Sequence, residues 1–478
     1  MPKTEIWKCT ACEIARDIHS KSITATEVTV SALARLDEVN PQLNAVVDVL
    51  ADEARARAAA LDEAQASGGQ IGPLHGVPVT IKINVDQKGN ATSNGVTALK
   101  DLIAPDDAPV VRNLLVAGAV IIGRTNTPEF SFRADTDNPL FGRTHNPWGR
   151  HISAGGSSGG AGSAVMAGIG ALAHGNDIGG SLRFPAAAVG AVSIKPGLGR
   201  VPAYNPSQKE ERGILAQHMS VQGLIARNSA DLALSTPSII APDPHDPFHV
   251  PLPYQGPKPL HPIRVAFTKE TYGFDLHPSV SHALDRAADA LAQAGYEVEE
   301  CLPPMLHECA MDGYRSLLGE VKVMMGQDIK THGSSTVQAI FDEYFRQFPP
   351  YQGDELLQIL AKRSHYARAW SLFLQEYPLV LTPFLPQPFF APNRDTEGAD
   401  GVREVLGAAL WSYSVNFMGL PAGNLPAHLA HLPQGPCPIN VQIIGRRWRE
   451  DMVIDAMQAI EQRLPPLAPT LWQQMNAD

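Results

Sequence analysis

Apolar positions along this chain follow two alternating periods, near 3.6 and near 2, which predict helices and short strands in turn. Residues 11 to 66 read as helical. Within them Thr24 is followed three positions on by Glu27, a capping-box pattern that predicts a helix start. Asn40-Pro41 is expected to break that helix, and the Ala-rich run Leu43 to Ala66 to form another, stopped by Ser67-Gly68-Gly69. Val77 to Val85 then changes period: Val79, Ile81, Ile83 and Val85 share one strand face, and Thr80, Lys82 and Asn84 the other. Ala108 to Ala117 predicts a helix and Ala119 to Gly123 a buried strand. Farther on, Ile263–Phe267, Tyr296–Glu299, Leu379–Thr382 and Val441–Ile444 predict strands. Pro278–Ala294 and most of residues 304 to 376 predict helices. The eight prolines between 238 and 262 predict a surface loop. Strands alternating with helices argue an α/β layered fold. No composition break marks a boundary, so the chain is expected to form one large domain.

Composition narrows the function. The chain has 478 residues, 38 Lys plus Arg against 49 Asp plus Glu, and a net charge of -11. Without a basic block, a nucleic-acid or anionic-membrane partner is not expected. The N-terminus has no apolar signal core, and no run is long enough to predict a spanning helix. The five cysteines (Cys9, Cys12, Cys301, Cys309, Cys437) are odd in number, and a chain of this length needs no disulfide staples. A reducing, cytoplasmic compartment is expected. Cys9 and Cys12 form one C-x-x-C, but no second pair or histidine set comes after it, so it reads as chance spacing and no metal site is predicted.

Residues 153 to 183 are dense in glycine and serine. A phosphate loop would need a lysine after the glycines, and there is none. A dinucleotide fingerprint fails at Val165. The G-x-S-x-G at Gly155–Gly159 would need an apolar strand before it, and Trp148 to Ala154 does not read as one. The apolar stretch Ala164–Leu172 is expected to be a tightly packed helix.

The segment from Gly155 to Pro185, GGSSGGAGSAVMAGIGALAHGNDIGGSLRFP, resembles the defining stretch of the amidase signature family. Upstream, Gly76-Val77-Pro78-Val79-Thr80-Ile81-Lys82 resembles the family's lysine strand. GRTNTPEFSF, NPLFGRTHNPW, KPGLGRVP, NFMGLPAGNLP and Val441–Gly445 extend the likeness over nearly the whole chain, most weakly from about 205 to 380. The resemblance implies a central mixed, twisted β-sheet covered by helices on both faces. It also implies a signature-bearing catalytic part (1–204), a variable substrate-shaping part (205–400) and a C-terminal return to the core (401–478).

The resemblance further implies a cofactor-free serine hydrolase. Ser181 would be the nucleophile. Ser157, following Gly156 in a cis peptide, would be the proton relay, and Lys82 the general base. The amides of Ile178, Gly179, Gly180 and Ser181 would form the oxyanion hole, and Phe130, Phe132 and Gly156 would contact substrate, with a plain core role as the alternative for the two phenylalanines. The chemistry is coherent on its own terms. A serine hydroxyl needs a base within hydrogen-bond reach, burial lowers a lysine's pKa toward the working range, and an intervening hydroxyl can both donate and accept. Asp177 and Arg183 read as an ion pair that shapes the loop, and Ser158 and Asn176 as structural neighbours. His75 and His174 also read as structural.

Several positions depart from the family pattern. Ile83 stands where Asp usually follows the lysine, and Asn176 where Thr or Ser precedes the aspartate. Gly197 follows Lys195-Pro196, and Thr92–Val96 reads TSNGV. The expected substrate is a small, apolar or aryl amide, anilide or carbamate. Rival readings are the amidase subunit of a tRNA-dependent amidotransferase, which the divergence around Lys82 disfavours, and an inactive scaffold, which the intact Ser-Ser-Lys set disfavours. Homodimers are common in the family.

Overall fold

The N-terminal helices start where side chains satisfy their first amides. In the computed structural model, which describes residues 3–257 and 262–476, Thr10 caps Ala11–His19 and Thr24 caps Ala25–Leu43. Each threonine hydroxyl accepts from the amide of a glutamate three positions on, and that glutamate accepts from the cap amide. The expected break at Asn40-Pro41 does not occur. Pro41 sits in the last turn, where one missing donor is tolerated, and the helix runs on to Leu43 before Asn44 takes a left-handed backbone (φ 50). The Asn40 side chain then accepts from the Ala45 and Val46 amides, 2.9 Å each, and turns the chain. The next element is a four-residue strand, Val46–Val49, not the start of the predicted helix, which spans only Ala51–Ala66.

Eleven strands form one mixed sheet: β1 (Val46–Val49), β2 (Pro78–Lys82), β3 (Val120–Thr125), β4 (Leu172–Asp177), β5 (Val192–Lys195), β6 (Val221–Ala226), β7 (Arg264–Phe267), β8 (Glu297–Glu300), β9 (Leu379–Pro383), β10 (Ala422–Leu432) and β11 (Gly435–Gly445). Their spatial order is β1-β3-β2-β4-β6-β5-β10-β11-β9-β7-β8. The triplets β3-β2-β4 and β9-β7-β8 are parallel, and the pairings between and outside them are antiparallel. Helices pack against both faces. Strands from the beginning, middle and end of the chain share this layer, so it is a single α/β domain.

The glycine-rich segment folds differently from its reading. Its helix is Gly159–Met166, not 164–172. Gly168 (φ 90) and Gly170 (φ 77) turn the chain, and the residues after them form β4. Strand β4 reads LAHGND, with Gly, Asn and Asp that disfavour strands, so propensity concealed it. The segment 238–257 is irregular after a helix ending at Ile239, as the prolines indicate; residues 258–261 lie outside the described part. No helix among the described residues is long and apolar enough to cross a membrane, no described group of His, Cys, Asp or Glu could hold a metal ion, and no disulfide joins the cysteines.

Two features set up the chemistry. The neighbouring parallel strands β2 and β4 end side by side, at Lys82 and Asp177. The Gly159–Met166 helix lies so close to the sheet's connections that a Cβ at Gly160 would fall 2.4 Å from Asn126 N and 2.5 Å from Ala45 O. Those contacts are backbone and cannot swing away. Gly160→Ala should therefore destabilise by about 1–3 kcal/mol from overpacking, outweighing a helix-propensity gain of about 1 kcal/mol. A lowered denaturant midpoint is the expected readout, and an unchanged or raised one would show that the helix can retreat.

Candidate active site

Lys82 closes β2 and is fully buried. Its Nζ donates to Ser157 Oγ at 2.7 Å and to Asn176 Oδ1 at 2.9 Å. Burial pulls its pKa well below the ordinary 10.5, and only the negative charge of Asp177 acts against that. Ile83, where the family places an acid, is buried and donates its amide to Thr125 O. Asn176 and Asn84 bond each other, Asn176 Nδ2 to Asn84 Oδ1 at 2.9 Å and Asn84 Nδ2 to Asn176 Oδ1 at 3.3 Å. Asn84 also donates to Ser131 Oγ at 2.9 Å, and Ser131 donates to Asn94 Oδ1 at 2.6 Å. The lysine therefore ends in a neutral polar network. The peptide bond between Gly156 and Ser157 is cis.

The loop after β4 is built on a buried ion pair. Arg183 Nε and Nη2 each donate to an oxygen of Asp177 at 3.0 Å, and both side chains are sealed from solvent. Asp177 also accepts from the amides of Gly180 (2.7 Å) and Leu182 (3.1 Å) and from Asn416 Nδ2 (3.0 Å). Burial alone would raise the Asp177 pKa, but the charge and hydrogen bonds of Arg183, then Lys195 and the Leu182 amide, bring it down to about 2. Arg183 in turn meets Asn416 and donates to Gln442 Oε1 at 2.8 Å.

This pair corrects one expectation. The Gly180 amide points at Asp177, so it is not available to a developing oxyanion. Among the described residues the amides of Ile178, Gly179 and Ser181 have no acceptor within the protein. Gly179 has no room for a side chain, because a Cβ there would lie 2.7 Å from the ring of Tyr413. Gly180 takes φ 130, a backbone only glycine adopts readily.

Ser157 and Ser181 both line a cavity of about 210 Å³. Most of the residues that line it have polar side chains, among them the hydrogen-bonded set Asn84, Asn94, Ser131 and Asn176. Phe130, Phe132 and Gly156, expected at the substrate, are not among its walls. Phe130 and Ser131 both adopt left-handed backbone (φ 55 and 58), which turns Ser131 into the cavity and buries Phe130 in the core. Phe132 packs on Phe341 with ring centroids 4.7 Å apart. Gly156 lies against the 133–135 backbone, where a Cβ would fall 2.4 Å from Arg133 O. Ser158 donates weakly to Asn176 O (3.4 Å), His174 bonds Gln222 and His75 bonds Leu61 O. Burial lowers the His174 pKa to about 4, which keeps it neutral. Sequence reasoning missed Asn84, Asn94, Ser131 and the cavity walls from 204 to 222. Of these only Asn84 carried a signal, as a polar residue on the Lys82 face of its strand.

Residues 27–454 match the Amidase family. The chain belongs to the amidase family. It is 46% identical over 476 residues, 99% of its own length and 90% of the relative's, to an indoleacetamide hydrolase of Bradyrhizobium diazoefficiens. An acylamidase of Rhodococcus erythropolis is a more distant relative at 31% identity, covering 93% of this chain and 93% of the relative. Among solved structures, 6-aminohexanoate cyclic dimer hydrolase with bound substrate superposes with a TM-score of 0.83 at 26% identity, covering 98% of this chain and 100% of the other. This amidase hydrolyses amide C–N bonds, and the inactive-scaffold and amidotransferase readings are correspondingly weaker.

The ion pair of this amidase has a pH signature. Asp177 is held near 2, below an unfolded value near 3.8, so the stability it contributes is present above about pH 5 and is lost as pH falls toward 2. That contribution is about 2 kcal/mol. Asp177→Asn leaves Arg183 buried without a counter-charge and should cost about 3–5 kcal/mol at pH 7. It should also flatten the acid side of the stability profile. A variant as stable as wild type, with an unchanged acid slope in urea titrations, would show that the pair does not hold the loop.

Proposed function

We propose that this amidase hydrolyses primary amides of small aryl-acetic acids through an acyl-enzyme on Ser181, with Ser157 as proton relay and Lys82 as general base. The observation that carries the mechanism is the 2.7 Å contact of a buried lysine, with no carboxylate within 4 Å among the described residues, to a serine that shares a cavity with Ser181. The substrate class rests on the 46% identity to indoleacetamide hydrolase. Lys82, neutral, has two N–H bonds and one lone pair. Asn176 Oδ1 takes one N–H, which leaves the lone pair free to accept the Ser157 proton as Ser157 accepts that of Ser181. Ser181 then attacks the carbonyl carbon. The amides of Ile178, Gly179 and Ser181 receive the oxyanion, where fixed dipoles in a dry site stabilise developing charge. The amine leaves with a proton returned through Ser157, and water hydrolyses the ester by the same relay. Tyr413 packs over Gly179 and stacks on Tyr314 at 3.8 Å, which holds the loop from behind. That no disulfide joins the five cysteines suits a reducing, cytoplasmic setting.

The purified chain, tested alone on indole-3-acetamide and phenylacetamide, should release ammonia. Ser181→Ala should lower kcat by roughly 10⁴-fold or more, and Lys82→Ala by a comparable factor, since members of one relay are not additive. Because the base acts unprotonated, kcat/KM should rise with pH along a single limb whose apparent pKa lies well below 10.5. Turnover surviving in Ser181→Ala would sink the mechanism. Activity appearing only with added partner subunits would favour the amidotransferase reading.

A further inference from the structure

Part of the cavity wall belongs to a segment the mechanism does not use. Tyr204, Asn205, Gln208 and Arg212 come from the stretch after β5, and Ser220 and Gln222 from the start of β6. Strand β6 is placed there by its antiparallel register with β4, which sets Gln222 opposite Asn176 and Val221 opposite Asp177. Arg212 is the one charged side chain among the described residues lining this cavity, and its guanidinium has no hydrogen-bond acceptor and no carboxylate within 4 Å among the described residues. Arg212 lines this cavity while its side chain remains exposed to solvent. Tyr204, Gln208, Arg212 and Ser220 also form the partition to a second chamber of about 350 Å³. The surrounding protein lowers its pKa from the ordinary value, with Asp246, Glu211 and Glu320 acting in the opposite sense. The neighbouring acids are engaged elsewhere. Glu320 accepts from the Leu215 and Ala216 amides, Asp246 from the Ala203 and Phe248 amides, and Glu211 from Gln208 Nε2.

An arginine fork facing a chamber without a counter-ion is a receptor for a carboxylate. The cavity also holds Ser157, the residue that returns a proton to the leaving nitrogen, while Gly179 is covered by Tyr413. We infer that Arg212 binds the carboxylate of a leaving group, so that the enzyme also cleaves N-acyl amino acids, with the aryl-acetyl group on the acyl side. This rests on the reading of Ser181 and Ser157 given above. The step balances as an ordinary acyl transfer. Ser181 Oγ bonds the acyl carbon, the C–N bond breaks, and the amino nitrogen takes the proton handed on by Ser157. Water then cleaves the ester to give the aryl-acetate and the free amino acid.

The test compares kcat/KM for N-phenylacetylglycine with that for the neutral N-(2-hydroxyethyl)phenylacetamide, in the full chain. Wild type should favour the carboxylate by roughly tenfold or more. Arg212→Gln should bring that ratio close to one, and Arg212→Lys should keep part of it. The ratio is internal to each protein, so a general loss of activity does not affect it. A wild-type ratio of one or less, or a ratio unchanged in Arg212→Gln, overturns the inference. If Arg212→Gln instead abolishes a preference for succinamic acid over butyramide and leaves the glycine ratio intact, the carboxylate belongs to the acyl side and the inference also fails. Phenylacetamide is measured in parallel. Its failure as a wild-type substrate bears on the proposed substrate class, whereas the glycine ratio bears on Arg212.

Discussion

A carboxylate and a guanidinium sealed together beneath the loop, Asp177 and Arg183, constrain everything around the candidate nucleophile. Two buried charges are tolerable only if every lone pair and proton finds a partner. Asp177 meets that condition with two loop amides, Asn416 and both arms of Arg183. The loop thereby loses its freedom: with the Gly180 amide turned inward, those of Ile178, Gly179 and Ser181 are left for a ligand. The same pair ties distant parts of the chain together. Asn416 lies on the Leu410–Met418 helix and Gln442 on β11, so the C-terminal elements hold the loop as firmly as its own strand does.

Lys82 poses the opposite problem. A carboxylate beside it would hold it charged, and a charged lysine cannot accept a proton. The site instead surrounds it with neutral oxygens from Ser157 and Asn176 and keeps Asp177 at a distance, occupied with Arg183. Lys195 shows what the alternative looks like. It is also buried and its pKa is lowered to about 7, burial first and then Arg183, but it donates to the carbonyl of Pro196 and reaches no serine.

The parts of this arrangement that were legible in the sequence are local. Lys82 stood out by its strand period and by Gly76-Val77-Pro78, and the two serines by their place in the Gly155–Pro185 stretch. Asp177 and Arg183 were readable as a pair because they flank one loop. The walls were not readable. Ser131 reaches the cavity only because two successive residues adopt left-handed backbone, which also carries Phe130 away from it. Arg212 arrives from a distant part of the chain, on the stretch that leads into β6, and no spacing points to it. Among the elements, β1 and β4 were hidden for different reasons. The first is four residues long between alanine-rich helices, and the second is composed of residues that favour turns.

Which serine carries the acyl group decides the mechanism. The direct measurement is rapid acid quench of the enzyme during turnover of an activated aryl-acetic ester or anilide, followed by peptide mapping by mass spectrometry. An aryl-acetyl adduct on Ser181, absent from Ser181→Ala and present in the wild type at a level that decays with turnover, is the expected result. An adduct on Ser157, or steady hydrolysis with none on either serine, would contradict it.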